Sequence, residues 1–418
     1  MKNQVLNSKI NIYEKLFGIK SGINLAGALT KLGGSTPPSE VEDAAKEASQ
    51  YFVDLYQLLR RSGEVVAETL GVPAAYITSG SSAGLALSAA ACIAKTDPEI
   101  IYRLPITEGL KNEIIVQKGH YPYSNMLRLP GAKLVYVGEE TPKNCYPYPG
   151  GKEYPWDHKF NNQPEHIEEA INKNTCALYY VINGNLYEGS RDLERGDPGR
   201  LEGEVPLLKV SEIAKNHNLP LIIDAADQIP PISNPKKLVD IGGDLVIFSG
   251  GKAIQSYNDS GFIVGRKDLI EAVIANGPPN HTIGRGFKVS KEEIVALTVA
   301  IQRYCNLDID AELNQERARC EFILNLVKDL PHVKSTCLGF PETVFHDEYA
   351  AIIELDEENL GMTAKEVAEK LEAGDPPIWT NNYKFHEGKL WLRAKVWEDY
   401  QGIRTFAERL QKILIKNQ

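Results

Sequence analysis

Leu221-Ile222-Ile223-Asp224-Ala225-Ala226-Asp227-Gln228 and Asp244-Leu245-Val246-Ile247-Phe248-Ser249-Gly250-Gly251-Lys252 are the two segments on which the reading of this chain turns. Each is an apolar run of strand length that ends on a functional side chain. An acid directly after such a run lies at the carboxyl edge of a sheet, where open α/β sheets bind ligands. Asp224 there is either a helix N-cap or a buried carboxylate, and a buried carboxylate needs a cationic partner. Lys252 follows two glycines, which let the backbone pass close to a ligand. A lone lysine in a loop is ordinarily a surface residue. A partly desolvated amine, however, is a competent Schiff-base nucleophile.

Working outward, β-like runs recur at Tyr76-Ile77-Thr78, Glu113 to Gln117, Lys133 to Val137 and Thr175 to Val181. Helical patterns separate most of them, with Pro164 to Asn172 and Leu207 to His217 the clearest. Val41 to Leu70 carries Ala45, Ala48, Phe52, Leu55, Leu58 and Leu59 at helical spacing. Such alternation predicts an α/β fold with a mainly parallel sheet covered by helices on both faces. After Gly277-Pro278-Pro279 the pattern changes to long helices at Lys291 to Cys305 and Ala311 to Leu330. Strand-like runs at Ala350 to Leu355 and Leu390 to Ala394 then flank a helix at Thr363 to Glu372, with a last helix at Tyr400 to Ile415. The expected division is an N-terminal segment 1–37, a large domain 38–285 and a small α+β domain 286–418. Residues 139–163, rich in Pro, Tyr and Gly, read as a long insertion loop.

A third feature precedes the other two. Thr78-Ser79-Gly80-Ser81-Ser82-Ala83-Gly84 follows a strand-like run and opens an Ala-rich helix. Taken alone it reads equally as a capped helix start or as a phosphate cradle built from backbone N–H groups and hydroxyls. Taken together the three features match the needs of one cofactor. Pyridoxal 5'-phosphate (PLP) requires an amine for its aldehyde, an anion for its ring nitrogen and donors for its phosphate. Lys252 supplies the amine and Asp224 the anion. Ser79, Gly80, Ser81 and Ser82 form the phosphate site, with Ser249 adding a hydroxyl. Gln228 is the candidate for the ring hydroxyl.

These segments resemble fold-type I PLP enzymes, and within them the group related to bacterial selenocysteine synthase (L-seryl-tRNA selenium transferase) and D-glucosaminate-6-phosphate ammonia lyase. The resembling pieces include Ile23-Asn24-Leu25-Ala26-Gly27, Thr78 to Gly84, Gln117-Lys118-Gly119-His120, Val205-Pro206-Leu207, Ile223 to Pro231, Phe248 to Lys252, Lys288 to Ile294 and Gly374-Asp375-Pro376-Pro377-Ile378. The resemblance implies a seven-stranded type of sheet, a Schiff base on Lys252, and Asp224 paired with the pyridine nitrogen. It also implies His120 stacked on the cofactor ring and a homodimer. Arg393 is a candidate for holding a substrate carboxylate, and it reads as well as a solvated arginine on an edge strand. The activity implied is a lyase on an amino acid or amino sugar acid, by Cα deprotonation and β-elimination. A transferase, decarboxylase or O2-dependent oxidase uses the same early steps, and a non-catalytic PLP-binding protein is the reading from another class.

The bulk properties narrow the partners. With 418 residues, 43% hydrophobic and 24% charged, the chain has the composition of a globular protein of two domains. A net charge of −10 gives no reason to expect nucleic acid or an anionic membrane as partner. The six cysteines form no CxxC pair, so no metal site is expected and a reducing, cytoplasmic compartment is. The first residues, MKNQVLNSKINIYEKLFG, hold no apolar stretch of signal length. Few residues precede Ile23 and none of them forms a basic stretch, so tRNA is not an expected substrate.

Overall fold

The computed structural model describes residues 11–120, 122–140, 160–182, 203–339, 349–382, 384–395 and 399–415. Most of the expected insertion loop therefore lies outside the described residues. Two units form. One comprises residues 33–307, the other residues 1–32 together with 308–418.

The larger unit is built on seven strands: β1 (Ala75–Thr78), β2 (Glu113–Gln117), β3 (Lys133–Val137), β4 (Thr175–Val181), β5 (Leu221–Asp224), β6 (Leu245–Ser249) and β7 (Gly261–Gly265). Their order is β1-β7-β6-β5-β4-β2-β3. β7 runs antiparallel to both neighbours and the other pairings are parallel. β4 and β5 are buried at every position, whereas the edge strand β3 is only partly covered. This is why the inner strands read as continuous apolar runs: both faces of a parallel sheet are covered. β7 is a short Gly-Phe-Ile-Val-Gly run that the periodicity did not single out.

The helices of this unit include α1 (Ser39–Ala48), α2 (Leu55–Leu70), α3 (Ser81–Ala94), α4 (Leu207–Asn216), α5 (Lys267–Asn276) and α6 (Lys291–Cys305). From Ala83 to Ala94, α3 is buried throughout, which its uniformly apolar sequence requires. A Cβ at Gly84 would sit 2.9 Å from Ile247 Cγ2, so the glycine allows α3 to lie directly on β6. The single helical pattern expected from Val41 to Leu70 is instead two helices. Asp54 caps α2 by accepting from the N–H groups of Tyr56 and Gln57, and Phe52, expected on the apolar face, is fully exposed in the connection. The expected small domain began at residue 286, but α6 packs on α1 and α2 and belongs to the larger unit.

In the smaller unit, α7 (Ile309–Val327), α8 (Ala364–Glu372) and α9 (Tyr400–Ile415) cover an antiparallel sheet of β8 (Val333–Gly339), β9 (Ala350–Leu355) and β10 (Lys389–Leu392). Ile23–Leu25 pairs in parallel with Ile378–Thr380, which ties the N-terminal residues into this unit. Ile23, Leu25, Ile353, Ile378, Leu392 and Phe406 share its core. No described helix is long and apolar enough to cross a membrane.

Candidate active site

The carboxyl ends of β5 and β6 lie side by side, with Asp224 opposite Ile247 in register. The turn after β5 is fastened to β6 by backbone hydrogen bonds. Ala225 N–H donates to the Ile247 carbonyl at 2.9 Å, and Ser249 N–H donates to the Ala226 carbonyl at 3.2 Å. A further bond within the turn, from Gln228 N–H to the Ala225 carbonyl, fixes its shape. Two acids and one amine are thereby gathered at a single edge of the sheet.

Asp224 is 4% exposed. Its carboxylate accepts from Ala226 N–H at 3.1 Å and from the Tyr179 hydroxyl at 3.4 Å. Among the described residues no cationic side chain lies within 4.0 Å of it. Burial pushes its pKa above the ordinary carboxylate range, and the Ala226 N–H, the Lys252 ammonium and the Tyr179 hydroxyl oppose that shift. A buried acid held by two neutral donors fits a protonated heterocyclic nitrogen, which would supply the missing positive charge. Lys252 lies beyond the end of β6, with Nζ 3.2 Å from Asp227 Oδ1. Gln228, the residue proposed for a ring hydroxyl, is buried, and its backbone carbonyl accepts from Asn234 Nδ2. Asp227 is the residue of this turn that reaches the lysine.

The two glycines before Lys252 are also required by the packing of the protein itself. A Cβ on Gly251 would lie 2.6 Å from Asn258 Cα and 3.0 Å from the Tyr257 carbonyl, and one on Gly250 would collide with Ser260 Oγ. They allow the lysine loop to fold back on residues 256–260 of its own chain.

Residues 79–82 form the start of α3. Gly80 has φ +86°, a conformation suited to glycine, and offers no side-chain cap. The first backbone N–H groups of α3 thus face outward with the positive end of the helix dipole, a ready anion site. Gly261, at the head of β7, allows this turn to approach: a Cβ there would lie 2.8 Å from Ser81 N. Ser79 Oγ donates to the Phe287 carbonyl at 3.0 Å, so its hydroxyl is engaged within the protein, whereas Ser81 is half-buried and Ser82 exposed. Ser249 ends β6 in a half-buried position.

His120, just past β2, is fully buried. Nδ1 accepts from Val181 N–H at 3.3 Å, which leaves the proton on Nε2, 2.5 Å from Glu204 Oε1. Its ring meets Tyr180 edge-on. Glu204 is held close by reciprocal bonds between the Gln117 amide and the Val205 backbone. No sequence pattern pointed to Glu204 or Tyr179, because neither stands in a spaced motif with its partner. Arg393 belongs to the smaller unit, where its N–H donates to the Leu25 carbonyl and its side chain crosses Gly27.

Comparison with known proteins agrees with this geometry. The L-seryl-tRNA selenium transferase family model matches residues 165–329, which include both Asp224 and Lys252. D-glucosaminate-6-phosphate ammonia lyase of Salmonella typhimurium is 29% identical over 388 residues, 90% of this chain and 91% of that protein. The 5'-C-glycyluridine monooxygenase-decarboxylase of a Streptomyces species is 28% identical over 411 residues, 95% of this chain and 91% of that protein. A solved structure of D-glucosaminate-6-phosphate ammonia-lyase superposes with a TM-score of 0.77 at 28% identity, covering 97% of this chain and 98% of that one. Over nearly its whole length the chain is thus similar to D-glucosaminate-6-phosphate ammonia lyase, and over residues 165–329 to the L-seryl-tRNA selenium transferase family.

Proposed function

We propose that this protein holds PLP on Lys252 and acts as a lyase on an amino acid or amino sugar acid. The observation that carries the reading is the placement of two side chains at one edge of the sheet, Asp224 at the end of β5 and Lys252 just past the end of the adjacent parallel strand β6. One is a buried carboxylate that lacks a cationic partner among the described residues, and the other is an amine. The similarity to an ammonia lyase over nine-tenths of the chain supports the reaction class.

Asp224 would bind the ring nitrogen and keep it protonated. The N–H groups at the start of α3, with the Ser81, Ser82 and Ser249 hydroxyls, would hold the phosphate, and Ser79 and Gly80 would shape the turn. His120 would offer its ring to the cofactor, since both of its nitrogens are already engaged. When bound, PLP supplies an electron sink that lowers the barrier to breaking a bond at Cα. Lys252, once its amine is free, is placed to take the Cα proton as general base. Where Cβ carries a leaving group, proton removal leads to elimination and, after hydrolysis, to an α-keto product. Arg393 is our candidate for a substrate carboxylate.

A second reading is O2-dependent decarboxylation, favoured by the equally similar monooxygenase-decarboxylase. The proposal also includes a homodimer in the cytoplasm. The buried, unpaired Cys92, Cys176 and Cys320 support a reducing compartment, and the net charge of −10 argues against nucleic acid as partner.

The test begins with incubation in PLP and borohydride reduction. A yellow protein whose reduced label maps to Lys252, and in which Lys252→Ala takes no label, is the expected result. A colourless protein, or a label elsewhere, refutes the proposal. A panel of amino acids and amino sugar acids then separates the reactions: ammonia with an α-keto product marks the lyase, whereas O2 uptake with CO2 release marks the alternative.

A further inference from the structure

Asp227 is not needed to bind a ring nitrogen or a phosphate, yet the fold places it on the reacting amine. The Ala226 carbonyl is bonded to Ser249 N–H, so the residue after Ala226 must emerge beside the chain that leaves β6. Its carboxylate then lies 3.2 Å from Lys252 Nζ, with the two side chains 42% and 32% exposed. Asp224 is nearby but deeply buried and committed to Ala226 N–H and Tyr179. Asp227 is thus the carboxylate in ion-pair contact with the amine, and its partial exposure lets it exchange a proton with solvent.

We propose that Asp227 is the proton-exchange partner of Lys252 during covalent capture of the cofactor aldehyde, an inference that rests on the assignment of Lys252 above. Asp227 first takes a proton from the Lys252 ammonium, which leaves the neutral amine that attacks. As Nζ bonds to the aldehyde carbon, Asp227 returns that proton to the former carbonyl oxygen. A second proton, carried from Nζ to the same oxygen by Asp227, lets the C–O bond break and water leave. Ammonium and aldehyde thereby give a protonated C=N and one water, with no net redox change. Positioned acids and bases of this kind typically contribute about 10²- to 10⁴-fold.

The experiment measures the rate at which purified apoprotein captures added PLP, followed by the visible band of the adduct and by borohydride trapping, in wild type, Asp227→Asn and Asp227→Glu. Asp227→Asn is expected to capture at least tenfold more slowly across the pH range, and Asp227→Glu to retain most of the rate. Added formate, a small carboxylate that can enter the vacated position, should accelerate Asp227→Asn and leave wild type unchanged. Should Asp227→Asn fail to fold, as judged by circular dichroism, Asp227→Ser is read in its place with the same formate test. Capture by the variant at the wild-type rate, or a deficit that formate does not relieve, overturns the proposal. If wild type itself yields no label on Lys252, the assignment of the lysine fails instead, so the two failures are distinguishable.

Discussion

Replacing Asp224 with asparagine separates what this carboxylate does for the empty fold from what it does for the cofactor. Within the protein the carboxylate is buried, accepts two neutral donors and has no cation within ion-pair distance among the described residues. Its pKa is raised above the ordinary 3.8, chiefly by burial. The folded chain therefore holds this proton more tightly than the unfolded chain does. The resulting contribution to stability is fully present below the ordinary carboxylate range and is lost as pH rises through the elevated folded value. Asparagine keeps an oxygen that can accept from Ala226 N–H and carries no charge to bury. Apo Asp224→Asn should therefore equal or exceed wild type in stability at neutral pH, with its relative advantage shrinking toward acid. With PLP the sign reverses. Deleting one partner of a buried ion pair costs about 3–5 kcal/mol. At about 1.4 kcal/mol per tenfold, that is roughly a hundredfold to a few thousandfold in cofactor affinity. Urea unfolding of the apoprotein between acid and neutral pH measures the first effect, and titration of the visible adduct band measures the second. If the apo variant is markedly less stable than wild type at neutral pH, or binds PLP as tightly, the account of Asp224 as an anion awaiting a cation is wrong.

Two other outcomes follow from the same coordinates. Gly251→Ala should destabilise the larger unit by about 1–3 kcal/mol in urea unfolding, because its Cβ would lie 2.6 Å from the backbone of Asn258 and overpacked sites cost that much. Burial pushes the Cys176 and Cys320 thiols up to about 12 and the Cys92 thiol well above its usual value, whereas Cys337 is exposed. Peptide mapping after iodoacetamide treatment should therefore find Cys337 labelled long before those three in the folded protein, and all four labelled alike in urea.

The elements that proved legible were those whose signal is local. The runs ending in Asp224 and Ser249 are apolar because both sheet faces are covered, and the Ser-Gly-Ser-Ser turn announces the start of α3 through its own residue types. Local signals also misled. Phe52 keeps helical spacing with its neighbours, yet Asp54 caps a new helix and leaves Phe52 in solvent. The close fit of the glycines before Lys252 against Asn258 and Ser260 was likewise not legible, because those partners carry no mark in the sequence.

From sequence alone, then, came the α/β class, the positions of most central strands along the chain, and a carboxylate and an amine at or just past the ends of successive apolar runs. These rest on periodicity and on residues adjacent in the chain. Tertiary structure decided that Asp227 meets the amine, that Glu204 holds His120, and that residues 1–32 join residues 308–418 through Ile23–Leu25 and Ile378–Thr380. Each of these depends on a hydrogen bond, ion pair or strand pairing between residues distant in sequence. Such a partner carries no periodic mark, and packing alone selects it.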